Sequence, residues 1–150
     1  MNKRIVAIHD VAEDTLAPKR LKRYIRWVQR LGYKFVPMDH ILSDKSRGKL
    51  VTLTIDDAYS SSIDTLLPIL EEFGITSMLF VPTGLLGKKA NDPELLSNDC
   101  YANKSTMTWE QLHQWVEKGQ QIGFHTHKHL DLFHHNNKEI EIDFQEGIAA

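Results

Sequence analysis

Short runs rich in β-branched residues alternate with stretches of helical periodicity along the chain, and this alternation constrains the fold more than any other sequence feature. The strand-like runs are at residues 4–8, 34–36, 50–55, 76–81 and 120–124. Strands separated by helical crossovers pair in parallel, because tight hairpins join only antiparallel neighbours. We therefore predict an α/β fold with about five parallel strands, in a sheet that either stays open or closes into a barrel.

Proline and glycine mark the ends of the first two long helices. Pro18 suits the first turn of a helix whose apolar residues recur at helical spacing until Gly32, where the helix should end. A second helical stretch ends at Gly74 and contains Pro68. Because proline disrupts a helix interior, Pro68 predicts either a kink or a later start of that helix.

The second half of the chain contains a clear helix start and one long irregular segment. Thr108, with Gln111 three residues later, matches a capping box and predicts a helix that ends at Gly119. A last helix is predicted over residues 138–149. Residues 84–106 contain Gly, Asn, Asp and Pro without a clear period, and so long a loop in a compact domain is usually functional or mobile.

Composition indicates one domain and excludes several classes of partner. With 150 residues, of which 41% are hydrophobic, the chain can bury one core, so we predict a single domain over 1–150. The net charge of -2 favours neither nucleic acid nor an anionic membrane, and the apolar runs are too short to span a bilayer. The missing signal-peptide pattern and the lone Cys100 predict a cytoplasmic protein, or an extracellular one if a leader was removed.

Polar side chains follow two of the predicted strands directly. Asp56 and Asp57 come after the third run, and His-Thr-His-Lys-His at residues 125–129 comes after the fifth. In α/β sheets and barrels, reactive groups lie where strands reach their carboxyl ends. Catalytic zinc sites commonly use three His or carboxylate ligands and leave a position for water. Asp57, His125 and His129 would supply such a set, and Asp56 would remain available as a base.

Both motifs also have simpler interpretations, which stay open at this point. Adjacent aspartates after a strand are often only helix N-caps. Five of the eight histidines lie in residues 125–135, so they could bind metal fortuitously. Strand alternation would place His125, His127 and His129 on one face, whereas a helical turn would pair only His125 with His129. Spacing alone does not choose between these arrangements.

Together the two motifs resemble those of a known family. Residues 54–58, Thr-Ile-Asp-Asp-Ala, match the Thr-Phe-Asp-Asp-Gly motif of polysaccharide deacetylases of the NodB-homology type. Residues 125–129 match the His-Ser/Thr-x-x-His motif of the same family. The sequences at 67–76 and 80–84 are also similar to the family's, so the resemblance extends from residue 49 to residue 143.

This resemblance implies a fold, an activity and a role for each motif residue. The chain would form a partial (β/α) barrel of the polysaccharide deacetylase type and would remove acetyl groups from an N-acetylated sugar or polysaccharide, using a divalent metal such as zinc. The implied metal ligands are Asp57, His125 and His129. Asp56 would be the general base, Thr126 would hold the loop by hydrogen bonding, and His127 would be a spacer.

His9 and two departures from the family pattern complete the sequence predictions. His9 follows the first strand-like run, so we predict that it lines the same pocket. Ala58 replaces the family's glycine. The family's later motifs, Arg-x-Pro-Tyr and a Leu-x-His that supplies the general acid, are not found downstream. The sequence Leu-Phe-His at 132–134 lies so close to His129 that we interpret it as chance.

A complete barrel takes about 200 residues or more, so we expect an open edge that favours self-association into a homo-oligomer.

Two other functions are compatible with the same residues. A non-catalytic module could keep the metal and bind glycan without a general acid. A hydrolase resembling the metallophosphoesterases could also use an Asp/His cluster of this kind.

Overall fold

The computed structural model describes residues 2–43, 47–96, 101 and 103–150, and its centre is a five-stranded sheet. The strands are β1 (Asn2–Ile8), β2 (Lys34–Phe35), β3 (Lys49–Ile55), β4 (Met78–Val81) and β5 (Gln121–Phe124). The helices are α1 (Pro18–Arg30), α2 (Met38–Leu42), α3 (Leu67–Phe73), α4 (Pro93–Leu96), α5 (Trp109–Glu117) and α6 (Asn137–Ala149). All strand pairs are parallel, which confirms the predicted pairing.

β3 is the central strand of the sheet. β1 pairs with it along its whole length, from Asn2 opposite Lys49 to Ile8 opposite Ile55. β2 pairs with the beginning of β3, β4 pairs with its end, and β5 follows β4. Because the strands are parallel, the carboxyl ends of β1, β3, β4 and β5 meet at one edge of the sheet. The polar motifs of the sequence follow the strands at this edge.

A cluster of buried apolar side chains joins the sheet to α1, α3 and α5. Ile25 of α1, Leu70 of α3 and Trp115 of α5 are all 0% exposed, and they pack in one cluster with Ile55 and Leu79 of the strands. Burial of each large apolar side chain contributes about 1.5–3 kcal/mol. This cluster therefore holds the end of β3 in a fixed position.

The helix signals predicted from the sequence are found at the expected residues. Thr108 and Gln111 form a reciprocal capping box at the start of α5, and Gly74 ends α3 in the left-handed conformation with φ of 61°. Pro68 lies in the first turn of α3, and Ser62–Leu66 before it forms a π-helical turn. Regular α-helix thus begins only at Leu67, and the helical backbone before Pro68 is distorted into a π-helical turn. Within the described ranges, no helix has both the length and the apolar character needed to cross a membrane.

The long segment 84–106 is attached to the end of β3. Thr106 forms a β-bridge with Tyr59, and the backbone N–H of Met107 donates to the carbonyl oxygen of Ala58 at 2.8 Å. The segment includes α4, which the sequence did not predict because a helix of 4 residues is too short to show a period. Residues 97–100 and 102, and with them Cys100, lie outside the described part of the chain.

Both ends of the sheet present an outer strand edge. Among the residues described, β1 pairs only with β3 and β5 pairs only with β4. The side chains of Ile5 in β1, Trp27 in α1 and Leu31 directly after α1 are exposed to solvent. Self-association through these edges stays a prediction.

Candidate metal centre

Asp57 lies directly after β3, and its side chain is only 2% exposed. Its backbone is left-handed, with φ of 75°, so the chain leaves the strand direction at this residue. The Oδ1 atom of Asp57 lies 3.1 Å from Nε2 of His129 and 3.5 Å from Nε2 of His125. The structure thus brings together the three residues that the sequence predicted as metal ligands.

The two histidines belong to a tight loop after β5. Thr126 and His129 have left-handed backbone conformations, with φ of 60° and 53°. The Oγ1 atom of Thr126 accepts a hydrogen bond from the backbone N–H of Leu130 at 3.0 Å, which closes the loop locally. Left-handed non-glycine residues are uncommon and concentrate at functional sites. Here they turn His125 and His129 toward one carboxylate.

Asp143 of α6 anchors the same loop and was not predicted from the sequence. Its carboxylate accepts hydrogen bonds from the backbone N–H groups of His127 and Lys128, at 2.7 and 2.9 Å. Because its side chain is buried, solvent competes little for these two hydrogen bonds. The sequence has no local signal for this contact, because it depends on how α6 packs against the loop.

The side chain of His127 packs against α6 and the segment after β4 rather than against Asp57. Its Nδ1 atom lies 3.0 Å from Oγ1 of Thr83. A β-carbon at Gly84 would come within 2.6 Å of its Nε2, so the glycine leaves room for the imidazole ring. Of the two arrangements left open by the spacing, the structure has the one that pairs His125 with His129.

The donor set of the cluster suits a divalent metal. The ligand atoms of Asp57, His125 and His129 all lie within 4.8 Å of one another. One carboxylate and two imidazoles are typical ligands of a hydrolytic zinc centre. The side chains of His125 and His129 are 34% and 25% exposed, so the cluster opens toward solvent on the histidine side.

The electrostatics of the cluster favour an ionised Asp57. Burial opposes its ionisation, but hydrogen bonds with His125 and His129 outweigh burial and hold the pKa of Asp57 well below its usual range. The hydrogen bond with Asp57 raises the pKa of His129, against the opposing effect of burial. An ionised carboxylate beside two imidazoles is a charge arrangement that suits a cation.

Asp56 lies beside the cluster but outside the ligand set. Burial raises the pKa of its carboxyl group, and the neighbouring negative charge of Asp57 adds to this, against the attraction of His125 and His9. Its Oδ2 atom lies 3.7 Å from Nε2 of His9, whose side chain is 61% exposed. His9 therefore reaches the same edge of the sheet, next to Asp56, and does not enter the core.

The aspartates are not helix N-caps. The next helical turn begins only at Ser62, whereas the carboxylate of Asp57 contacts His125 and His129. Ala58, where the resembled family has glycine, is fully buried and left-handed, with φ of 50°. Glycine adopts this left-handed conformation without strain, whereas alanine adopts it here at an energetic cost.

Tyr101 also contacts Asp57, and the sequence did not predict it. Its hydroxyl donates a hydrogen bond to Oδ1 of Asp57 at 3.3 Å, and its side chain is 0% exposed. Tyr101 belongs to the segment 84–106, whose lack of periodicity gave no signal for a buried residue. Its ring also lies edge-on to the ring of His129, with centroids 5.5 Å apart.

Comparison with known proteins identifies the family. The sequence model of the polysaccharide deacetylases matches residues 43–150, which is more than half of the chain. The protein belongs to the polysaccharide deacetylase family. A curated relative, YxkH of Bacillus subtilis (strain 168), a proposed polysaccharide deacetylase, is 25% identical over 119 residues, which cover 76% of this chain and 37% of YxkH.

Solved structures of deacetylases show the same fold. IcaB from Ammonifex degensii superposes with a TM-score of 0.77 at 20% identity, over 99% of this chain and 67% of that one. A de-N-acetylase from Aggregatibacter actinomycetemcomitans superposes with a TM-score of 0.67 at 23% identity, over 83% of this chain and 55% of that one. These likenesses confirm the predicted fold class, a partial (β/α) barrel. The chain spans little more than a third of the curated relative's length.

Proposed function

We propose that this protein takes part in a metal-dependent hydrolysis that removes N-acetyl groups from an amino sugar or polysaccharide. The observation that carries the proposal is the cluster of Asp57, His125 and His129 beside the carboxylate of Asp56, in a chain of the polysaccharide deacetylase family. The description of one structural relative as a de-N-acetylase supports an N-acetyl substrate.

In this proposal Asp57, His125 and His129 hold a divalent metal. Zinc is the proposed ion, because imidazole and carboxylate ligands suit it and three of them leave a position open. A metal of this kind activates water at neutral pH and polarises a carbonyl group. The buried carboxylate of Asp57 supplies the negative charge, and the exposed sides of the two histidines leave the acetyl group a path from solvent.

Asp56 is the proposed general base. It is adjacent to the ligand Asp57, and its side chain remains 21% exposed, so a water molecule can reach it. Burial raises the pKa of Asp56, and a carboxylate with a raised pKa accepts a proton from water more readily than an ordinary one. Asp56 would take the proton as the water oxygen attacks the acetyl carbon.

His9 is the proposed proton donor to the leaving nitrogen. Histidine side chains serve in enzymes as proton donors as well as bases. The Nε2 atom of His9 lies 3.7 Å from Asp56, and its side chain is exposed where substrate would enter. When the carbon–nitrogen bond breaks, the proton from His9 would convert the leaving group into a neutral amine.

The decisive experiment separates metal binding from chemistry. Asp56→Asn should leave zinc content unchanged, because the side chain keeps its shape, and should reduce acetate release by about a hundredfold or more, the usual scale for a general base. Elemental analysis of the purified chain measures its zinc content. Acetate release from N-acetylglucosamine oligosaccharides is measured separately, with the longest polypeptide that the gene encodes. His127→Ala is the matched control, since His127 lies outside the cluster, and it should keep both zinc and activity.

A non-catalytic metal- or glycan-binding module is the second candidate. It is favoured by the cluster itself, because Asp57, His125 and His129 can hold a metal without any proton donor beside them. His9→Ala distinguishes the candidates, since loss of acetate release with unchanged zinc content would support catalysis with His9 as the acid. Zinc binding without any acetate release from the unsubstituted protein would favour the non-catalytic module.

A further inference from the structure

One oxygen of Asp57, Oδ1, has three polar neighbours. The Nε2 atoms of His129 and His125 lie 3.1 and 3.5 Å from it. The hydroxyl of Tyr101 donates to the same oxygen at 3.3 Å. In a loaded centre the two imidazole nitrogens would be occupied by the metal, whereas the phenol would still donate to the carboxylate. Tyr101 is thus placed to fix the orientation of the ligand without itself being one.

The ring of Tyr101 is fixed by its neighbours. It packs against Tyr59 with ring centroids 5.2 Å apart and lies edge-on to His129, at an interplanar angle of 86°. Tyr59 is in turn covered by Lys104, whose ammonium lies 4.7 Å from the centre of the Tyr59 ring. With Leu85 and Leu95, the two tyrosines form a separate buried cluster. The hydroxyl of Tyr101 therefore has little freedom to leave Asp57.

We propose that Tyr101 is a positioning residue of the metal centre, orienting Asp57 through its hydroxyl and His129 through its ring. The inference rests on the proposed metal-binding function. Partners of metal ligands fix ligand orientation, and their loss commonly weakens metal binding by about 10–100-fold. Under this proposal, segment 84–106 contributes directly to the site by carrying a buried phenol to the end of β3.

Tyr101→Phe tests the proposal, because it removes the hydroxyl and keeps the ring and its packing. We expect the affinity for Zn²⁺, measured by competition with a chromophoric chelator, to fall by about tenfold. The visible absorption bands of the Co²⁺-loaded chain should also shift, because Asp57 is free to reorient. Tyr24→Phe is the matched control, since Tyr24 lies on α1 and pairs with Trp27. It should change neither measurement.

The outcomes separate this inference from the proposed function. If Tyr101→Phe binds Zn²⁺ as tightly as the unsubstituted chain, with the same Co²⁺ spectrum, Tyr101 only packs the segment and the inference is overturned, while the metal centre stands. If the unsubstituted chain binds no Zn²⁺, both are overturned. Thermal unfolding of the metal-free variant, expected to stay within a few degrees of the unsubstituted chain, excludes misfolding as the cause of weaker binding.

Discussion

The two strand ends that form the candidate metal centre are built differently. The end of β3 is interior: β1 covers the whole length of this strand, and the side chain of Asp57 is 2% exposed. The end of β5 is peripheral: its loop is held by Asp143 and Thr126, and its histidines remain partly exposed. The candidate carboxylate ligand is therefore fixed by the core, whereas the candidate imidazole ligands depend on a few side-chain hydrogen bonds.

The strongest test of this difference compares loss of the carboxylate with loss of an imidazole. Asp57→Asn, His125→Ala and His129→Ala should each weaken Zn²⁺ binding by at least about tenfold, because each removes a direct ligand. The loss should be largest for Asp57→Asn, since it removes the charge on the most rigid ligand. Asparagine tolerates the left-handed backbone at this position, so folding is preserved. Isothermal titration with Zn²⁺ measures all three, and a larger loss in His129→Ala than in Asp57→Asn would contradict the ranking.

A second test changes only the anchor of the histidine loop after β5, the peripheral side of the centre. Asp143→Ala leaves two backbone N–H groups of the histidine loop without their acceptor, and each such loss costs about 1–3 kcal/mol when the group stays buried. Urea unfolding of the metal-free chain should show a loss of stability on this scale, which saturating Zn²⁺ partly restores by binding the folded state. Asp143→Asn, which keeps one acceptor oxygen, should lose less. Equal stability of Asp143→Ala and the unsubstituted chain would show that α6 does not anchor the loop.

We expect the smallest change in stability and Zn²⁺ binding from a substitution at the end of β3, the interior side of the centre. Ala58→Gly relieves a left-handed alanine, a gain of about 1–2 kcal/mol. It also removes a buried methyl group, worth about 0.8 kcal/mol, and adds backbone entropy of about 0.5–1 kcal/mol to the unfolded chain. The opposing effects nearly cancel, so the midpoint of thermal unfolding should shift by only a few degrees and Zn²⁺ content should not change. A large loss of Zn²⁺ in Ala58→Gly would mean that the end of β3 is less rigid than its burial indicates.

The sequence predicted the site residues that directly follow the strands and missed the residues that contact them from distant segments. Asp57, His125 and His129 could be placed together because they directly follow parallel strands, whose carboxyl ends meet at one edge. The capping box of Thr108 and Gln111 was likewise local and was found as predicted. The position of His127 stayed open because it depends on the left-handed backbone of Thr126, a conformation that neither residue spacing nor strand alternation reveals.

Tyr101 and Asp143 could not be placed from spacing. Tyr101 contacts Asp57 from a segment without periodicity, 44 residues away in the chain. Asp143 contacts the histidine loop from a helix 16 residues beyond it. Neither contact follows from the pattern of the residues around it, because both depend on how distant segments pack. Such contacts lie outside the motifs.

The ring of His127 restricts which substitutions are tolerated at a position far from it in the chain. In the family motif this position is a spacer. The imidazole ring of His127 nevertheless occupies the room left by Gly84, where a β-carbon would lie 2.6 Å from Nε2. A β-carbon at Gly147 would instead meet the ring of Phe124, at 2.4 Å. Positions 84 and 127 therefore share one volume, although they are far apart in the chain. In descendants of this sequence, a side chain gained at position 84 would require a smaller residue at 127, so the two positions are expected to change together.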